Sequence, residues 1–435
     1  MTARSIRCGR RLAPLLLMLV PLVAFAPTPA LALPTAPAPE VSTDGACEAP
    51  QDRCTWERTF GAGTEDKARG AATHAGGEIT VVGTTRSPAG LAYAAWVLRL
   101  ARDGTPIWRR EITGEAGENR RGAFKLTDVA PAPQGGLVAV GDHRVPGGRG
   151  SDLRILRYDA DGGVLGDRTL GGAGNDRIFS VSAMPRAPNA ASASGFWAAG
   201  YTDTPTQGAA TADQDLWVVR LASDGSVLAE RRFGGGGGDA GALDIAGLPD
   251  GGALVGGYRA AAEGRGLDAW VLRLDRRGEI RWERRFDRAR FEAATAVTLL
   301  PGGDIAVVGM VGVEDKLSED LWITRLSRDG TLLWHRRMGG SGRERPSAVT
   351  PLAGGGLAIA AIRWFEPEDA GDAWLIGMDP DGATRWERRF GGPLWDRPTG
   401  LVPLEGGLLM VGHTSSIGAG FEDAWLLRLD AEGRF

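Results

Sequence analysis

The feature that most constrains this chain is a repeat. Trp282-Glu283-Arg284-Arg285-Phe286 returns as Trp386-Glu387-Arg388-Arg389-Phe390 and as Trp334-His335-Arg336-Arg337-Met338. Earlier copies start at Trp56 and Trp108, and two degenerate ones at Gly166 and Ala229. The seven anchors stand 52–63 residues apart. A unit of that length, built from short apolar runs and Gly-rich turns, cannot bury its hydrophobic face alone and must stack on its neighbours. With only strand-like segments in each unit, the pattern predicts the blades of a propeller.

Each unit divides in the same way. After the Trp strand comes a Gly-rich crossover ending in a polar residue, then a short apolar strand and a Gly-Gly turn such as Gly302-Gly303. A second apolar strand, a variable loop and a third strand follow, the clearest being Asp268-Ala269-Trp270-Val271-Leu272-Arg273-Leu274. An Asp-Gly turn then returns the chain to the next Trp strand. That is four antiparallel strands per unit. The last unit stops where its Trp strand should begin, while an orphan Trp strand, residues 55–60, opens the repeat region. Pairing the two would remove two open sheet edges together. The fold expected is therefore all-β, a seven-bladed β-propeller over residues 55–435, its ring closed by the N-terminal strand.

Eleven of the 14 tryptophans occupy repeat positions, which marks them as blade-to-blade core and not as a ligand site. The recurring third-strand Asp (Asp152, Asp215, Asp268, Asp320, Asp372, Asp423) and Arg (Arg99, Arg157, Arg220, Arg273, Arg325, Arg428) also read as structural. A function performed once does not need six copies; a pairing required in every blade does.

The repeat, Trp-x-Arg-Arg-Phe-Gly-Gly through Asp-x-Trp-x-x-Arg-Leu-Asp-x-x-Gly, resembles that of a widespread group of secreted bacterial β-propellers. The resemblance covers residues 55–435 and implies the fold, not an activity. The turns from Leu274 to Trp282 and from Met378 to Trp386 are also similar to the tryptophan-docking turn of pyrroloquinoline-quinone propellers. The quinone dehydrogenases of that group are typically eight-bladed, and many carry adjacent cysteines at the cofactor. Seven repeats and a non-adjacent Cys47 and Cys54 depart from that pattern, so the likeness reads as shared blade construction and no resident cofactor is expected.

Residues 1–32 read as a secretory signal. Arg4, Arg7, Arg10 and Arg11 precede an apolar run at 15–26, and Ala30-Leu31-Ala32 supplies a small-x-small cleavage pattern. The run is short for a spanning helix and is broken by Pro21. The expected address is secreted or periplasmic, with no membrane segment once the signal is removed. Residues 33–54 are Pro- and Ala-rich and read as a linker. The pair left after the signal, Cys47 and Cys54, suits a disulfide in an oxidising compartment, worth roughly 2–3 kcal/mol. The alternative, a metal pair, lacks a nearby His or further Cys to complete four ligands. The formal net charge of −4 includes the four leader arginines, so the mature chain stands near −8. That balance argues against a nucleic-acid binder.

No metalloprotease, nucleophile-elbow or phosphate-loop motif is present. Gly171 to Phe179 fits a calcium-binding nonapeptide and Gly234 to Asp239 its first six positions, but a whole blade apart and not every nine residues, so calcium stays a secondary option. In a four-stranded antiparallel blade, the second-to-third loop and the crossover emerge on one face. That face should gather the crossover acids Asp66, Asp176, Asp239, Glu292 and Glu344 around the channel mouth, with Asn119 and Asp396 at matching positions. It should also gather the residues after the second strand: His143, Arg144, Tyr201, Tyr258, Arg259, Arg363, Trp364, Phe365 and His413. The sixth unit departs most from the repeat, with Ala361 for glycine and Ile362-Arg363-Trp364-Phe365 following, and Trp395 precedes Asp396 in the next crossover. Aromatic groups beside Arg and Asp suit a sugar, peptide or aromatic ligand. The reading is a monomeric binding or scaffolding propeller for a glycan, peptide or envelope protein. The alternative is a hydrolase or lyase using carboxylates with His143 or His413, with calcium assisting.

Overall fold

The repeat builds seven antiparallel sheets arranged as a ring. The structure, a computed structural model, describes residues 40–44, 55–61, 65–86, 93–112, 124–144, 150–185, 195–203, 213–234, 238–261, 266–289, 291–312, 319–340, 342–364, 370–419 and 421–435. The signal segment, Cys47, Cys54, Asn119 and Phe365 lie outside the described residues, so the anticipated disulfide does too. No helix among the described residues is long and apolar enough to cross a membrane.

Numbered in chain order, the strands run from β1 (Glu40–Asp44) and β2 (Trp56–Gly61) to β29 (Asp423–Asp430). Blade 1 holds β3 (Asp66–Thr73), β4 (Ile79–Arg86), β5 (Tyr93–Leu100) and β6 (Pro106–Ile112). Blades 2 to 6 repeat that order, opening with β7 (Phe124–Pro131), β11 (Asp176–Ala183), β15 (Ala240–Gly247), β19 (Glu292–Leu299) and β23 (Glu344–Pro351). Blade 7 consists of β27 (Asp396–Leu404), β28 (Gly407–Thr414) and β29, and takes its fourth strand from the other end of the chain. There β2 pairs antiparallel with β29, Trp56 opposite Arg428 and Phe60 opposite Ala424. β1, within the segment read as a linker, adds a fifth strand by pairing with β2, which covers an otherwise open edge.

The core lies between blades. Seven hydrophobic clusters each join two neighbouring sheets, and one of them packs Trp56, Phe60 and Leu409 of blade 7 against Ile79 and Trp96 of blade 1. Polar clasps repeat at the same joints. The Trp-strand indole donates to the Asp-Gly turn of the next blade, as Trp108 Nε1 to Ala160 O (2.9 Å) and Trp334 Nε1 to Pro380 O (2.9 Å). The third-strand arginine reaches the same turn, as Arg325 Nη1 to Pro380 O (2.8 Å) and Arg428 Nη1 to Arg102 O (2.6 Å). The Trp-strand indoles and most of the third-strand arginines thus fasten blade to blade, while Arg99 and Arg273 pair within their own blades, with Glu78 and Asp250. Inside a blade, the Glu after the anchoring Trp accepts from the third-strand indole: Trp270 Nε1 to Glu283 Oε2 at 2.8 Å, and Trp425 Nε1 to Glu57 Oε1 at 2.6 Å.

Candidate functional site

The second-to-third loops and the crossovers do share a face. Asn175 Nδ2 donates to Asp203 Oδ2 (2.8 Å), the Asp396 amide to Gly371 O (3.0 Å) and the Ser415 amide to Trp395 O (2.7 Å). Each bond ties a crossover to a loop. At blades 6 and 7 these ties hold Trp364 and Trp395 edge to face, with ring centroids 5.7 Å apart. Arg345 stands 6.0 Å from the Trp364 ring, and Arg363 lies 4.6 Å from Trp374 while its Nε faces Glu344 Oε1 at 3.2 Å. Trp395 keeps 44% of its surface exposed and sits beside exposed Leu394, whose amide donates to Ser416 Oγ (3.0 Å) in the loop that also exposes Ile417 and Phe421. An apolar patch therefore marks this part of the face.

The crossover acids serve a different purpose. Asp66, Asp176, Glu292, Glu344 and Asp396 are each the first residue of an inner strand and are buried. Strand alternation puts them on the same side as core residues two places on, such as Ala68 and Ile178. Three of the carboxylates accept from the crossover backbone four residues earlier: Gly172 N to Asp176 Oδ2 (2.7 Å), Arg288 N to Glu292 Oε2 (2.5 Å) and Gly392 N to Asp396 Oδ2 (2.8 Å). Burial raises the carboxyls of Glu292 and Glu344 above their ordinary range. Asp239 differs, because Ala240 takes the buried first position in blade 4 and leaves Asp239 exposed.

The remaining candidates stand around the other blades. His143 and Arg144 end the second strand of blade 2, where the His143 ring meets the edge of Phe124 at 6.3 Å. Tyr201 of blade 3 packs 5.8 Å from Phe179. Tyr258 of blade 4 donates to Gln214 Oε1 (3.1 Å), and burial pushes its hydroxyl up to about 12. Arg259 lies 5.1 Å from Trp270. His413 is buried in blade 7 with its Nε2 3.7 Å from Glu422 Oε1; burial first, then Arg69, Lys67 and Arg397, push it down to about 2. No group of three His, Cys, Asp or Glu side chains able to hold a metal occurs among the described residues.

The central channel holds residues that the linear reading passed over. Every inner strand carries a bulge at the same place, at Arg69, Thr127, Phe179, Leu243, Thr295, Ser347 and Thr399. These residues and their successors line a cavity of about 340 Å³. Two places before the bulge, on the same side of the strand, five blades place a base: Lys67, Lys125, Arg177, Arg345 and Arg397. The signal was available, because in four repeats the crossover acid is followed directly by Lys or Arg. Immediately after the bulge, where Gly and Ala stand elsewhere, come Asp128, Ser180 and Asp244. Ser180 Oγ lies 3.1 Å from Asp128 Oδ2 and 2.8 Å from Asp244 Oδ1. Asp128 Oδ2 accepts from Val181 N of the next blade, and Asp244 Oδ2 from Val297 N of the next, each at 2.8 Å. Burial raises both carboxyls, Asp128 to about 7. One serine hydroxyl carries one proton and cannot donate to both acids. A proton on Asp128, whose carboxyl burial raises, would supply the second hydrogen bond.

No protein-family model and no curated protein sequence matches the chain. Solved structures do resemble it, at low identity. A puromycin hydrolase S511A mutant complexed with PGG is 17% identical, with TM-score 0.48, over 85% of this chain and 52% of that one. A protein of unknown function from Dyadobacter fermentans is 12% identical, with TM-score 0.47, over 86% and 97% of the two chains. The β-propeller domain of the Trilobed protease from Pyrococcus furiosus is 10% identical, with TM-score 0.45, over 85% and 97%. This chain spans about half the length of the puromycin hydrolase. The β-propeller fold rests on the seven sheets themselves.

Proposed function

We propose that the chain is an exported binding module that grips a peptide or protein segment of the extracytoplasmic space on the loop face of blades 6 and 7. One observation carries this reading: Trp395, held edge-on by Trp364, is exposed beside exposed Leu394, in a crossover tied to the loop that exposes Ile417 and Phe421. Leaving so much apolar surface in water is unfavourable by roughly 25 cal/mol per Å². Such patches, with a preorganised tryptophan at their centre, are typical of sites where a partner excludes water. The aliphatic neighbours suit a peptide or protein surface better than a sugar, whose hydroxyls need polar partners. The hydrolytic alternative has less support, since His413 is buried and held down at about 2, and His143 belongs to another blade.

A displayed-peptide library and a glycan array, each probed with the full chain and with Trp395→Ala, test the proposal. The parent should select peptides, and Trp395→Ala should lose at least tenfold in affinity with its melting temperature unchanged. Equal peptide binding by both proteins, or binding confined to glycans, would overturn it.

A further inference from the structure

The loop-side end of the central channel contains two guanidinium groups without a direct partner among the described residues, though Glu422, Glu65 and Asp142 stand near enough to act on Arg69 and Glu422 on Arg397. Arg69 is the bulge residue of β3 and lines the cavity. Arg397 is the second residue of β27 in the neighbouring blade, and Thr399 Oγ1 donating to Ala68 O (3.0 Å) holds those two strands together. Two other bases at this mouth are paired with acids: Lys67 Nζ lies 2.5 Å from both Glu65 and Glu422, and Arg345 Nη2 donates to Glu319 Oε1 at 2.9 Å. Neither Arg69 nor Arg397 has a hydrogen bond or an ion pair among the described residues. Arg69 is half-buried, and desolvation lowers its pKa against the pull of Glu422, Asp142 and Glu65; Arg397 is exposed, with Arg69 and Arg345 near enough to disfavour its charge. Two neighbouring cations without a direct partner repel one another. A guanidinium fork is shaped to take a carboxylate or phosphate through two parallel bonds.

Asp128, Ser180 and Asp244 line the same cavity. Carboxyl groups there would repel a second negative charge but would accept from hydroxyl groups. The cavity, about 340 Å³, is the size of a small-molecule site. We propose that the channel binds a small hydroxylated molecule with one anionic group, a carboxylate or phosphate held by Arg69 and Arg397, and with its hydroxyls directed toward the Asp128–Ser180–Asp244 bridge. This site is separate from the aromatic patch and does not rest on it.

Calorimetric titration of the full chain at fixed ionic strength tests it, with D-glucuronate, glucose 6-phosphate, inorganic phosphate and neutral glucose as probes. Glucuronate or glucose 6-phosphate should bind, and whichever is preferred identifies the anionic group. Arg69→Gln and Arg397→Gln should each weaken that binding at least tenfold, while Trp395→Ala leaves it unchanged. Melting temperature provides the second measure. Relief of repulsion should leave Arg397→Gln as stable as the parent or more so, and the probe should stabilise the parent but not the variant. No binding of either sugar anion, binding of glucose as strong as theirs, or inorganic phosphate as the only ligand would overturn the proposal. So would a clear fall in the melting temperature of Arg397→Gln, which would make the guanidinium a structural fastener.

Discussion

Gly330 sits at φ 83° in an Asp-Gly turn, and a Cβ there would lie 2.9 Å from the Trp282 ring of the preceding blade. Both backbone and space therefore require glycine. Gly330→Ala should cost about 1–3 kcal/mol, read as a lower urea midpoint with an unchanged slope. Titration acts at the same scale. The folded carboxyl of Asp128 titrates near 7, against about 3.9 in an unfolded chain. A raised pKa means that its contribution is fully present below pH 4 and is lost as pH rises through 7. Asp128→Asn should match the parent near pH 4 and exceed it at pH 8 by ~1–3 kcal/mol in urea melts. Lower stability than the parent at pH 8 would contradict the assignment. The buried histidines act in the opposite direction. Burial pushes His74 and His335 down to about 4 and His413 to about 2. Their contribution is present above pH 6.5 and is lost as pH falls from there. His413→Gln should therefore flatten the stability profile below pH 6.

At the scale of elements, the bulge in each inner strand turns one extra side chain toward the channel, and the hydroxyl there can reach the next blade. Thr127 Oγ1 donates to Ile178 O at 2.8 Å and Thr399 Oγ1 to Ala68 O at 3.0 Å, whereas Thr295 Oγ1 reaches only Val308 O of its own blade. Thr399→Val should therefore cost about 1 kcal/mol and Thr295→Val less, a difference that urea denaturation of the two variants would resolve. Strand order, turn chemistry and the tryptophan positions were legible along the chain because they recur. The bulge was not, since Arg69, Thr127, Phe179 and Leu243 share no side-chain chemistry. It shows only as a shift in backbone register. β1 was hidden for another reason: five residues in a Pro-rich stretch make a strand only because β2 offers an edge to pair with.

At the scale of the molecule, the joint between blades 7 and 1 brings together the two ends of the repeat. Trp56, fully buried between them, fills the wedge that the ring must close. Trp56→Ala should cost about 3–5 kcal/mol and make thermal unfolding less cooperative, whereas Trp395→Ala, on the loop face, should leave the melting curve unchanged. If both variants melted like the parent, closure by the N-terminal strand would contribute little to stability. The same ring explains why the crossover acids do not gather at the channel mouth. Once each acid begins an inner strand, alternation turns it toward the blade core and the following residue toward the channel. A row of acids in the sequence thus becomes a channel mouth lined by Lys and Arg.

What the amino-acid order determined alone is what recurs: the number of blades, the strands in each, the fasteners between them, and the pairing of the first strand with the last. Those depend on local pattern and on the need to cover open edges, both visible in one dimension. What only the tertiary structure decided is where the unrepeated residues meet. Trp364 and Trp395 share one patch, Asp128, Ser180 and Asp244 share one proton network, and Arg69 stands beside Arg397 across the closing joint. These partners lie on different blades, and only the curvature of the ring brings them within reach of one another.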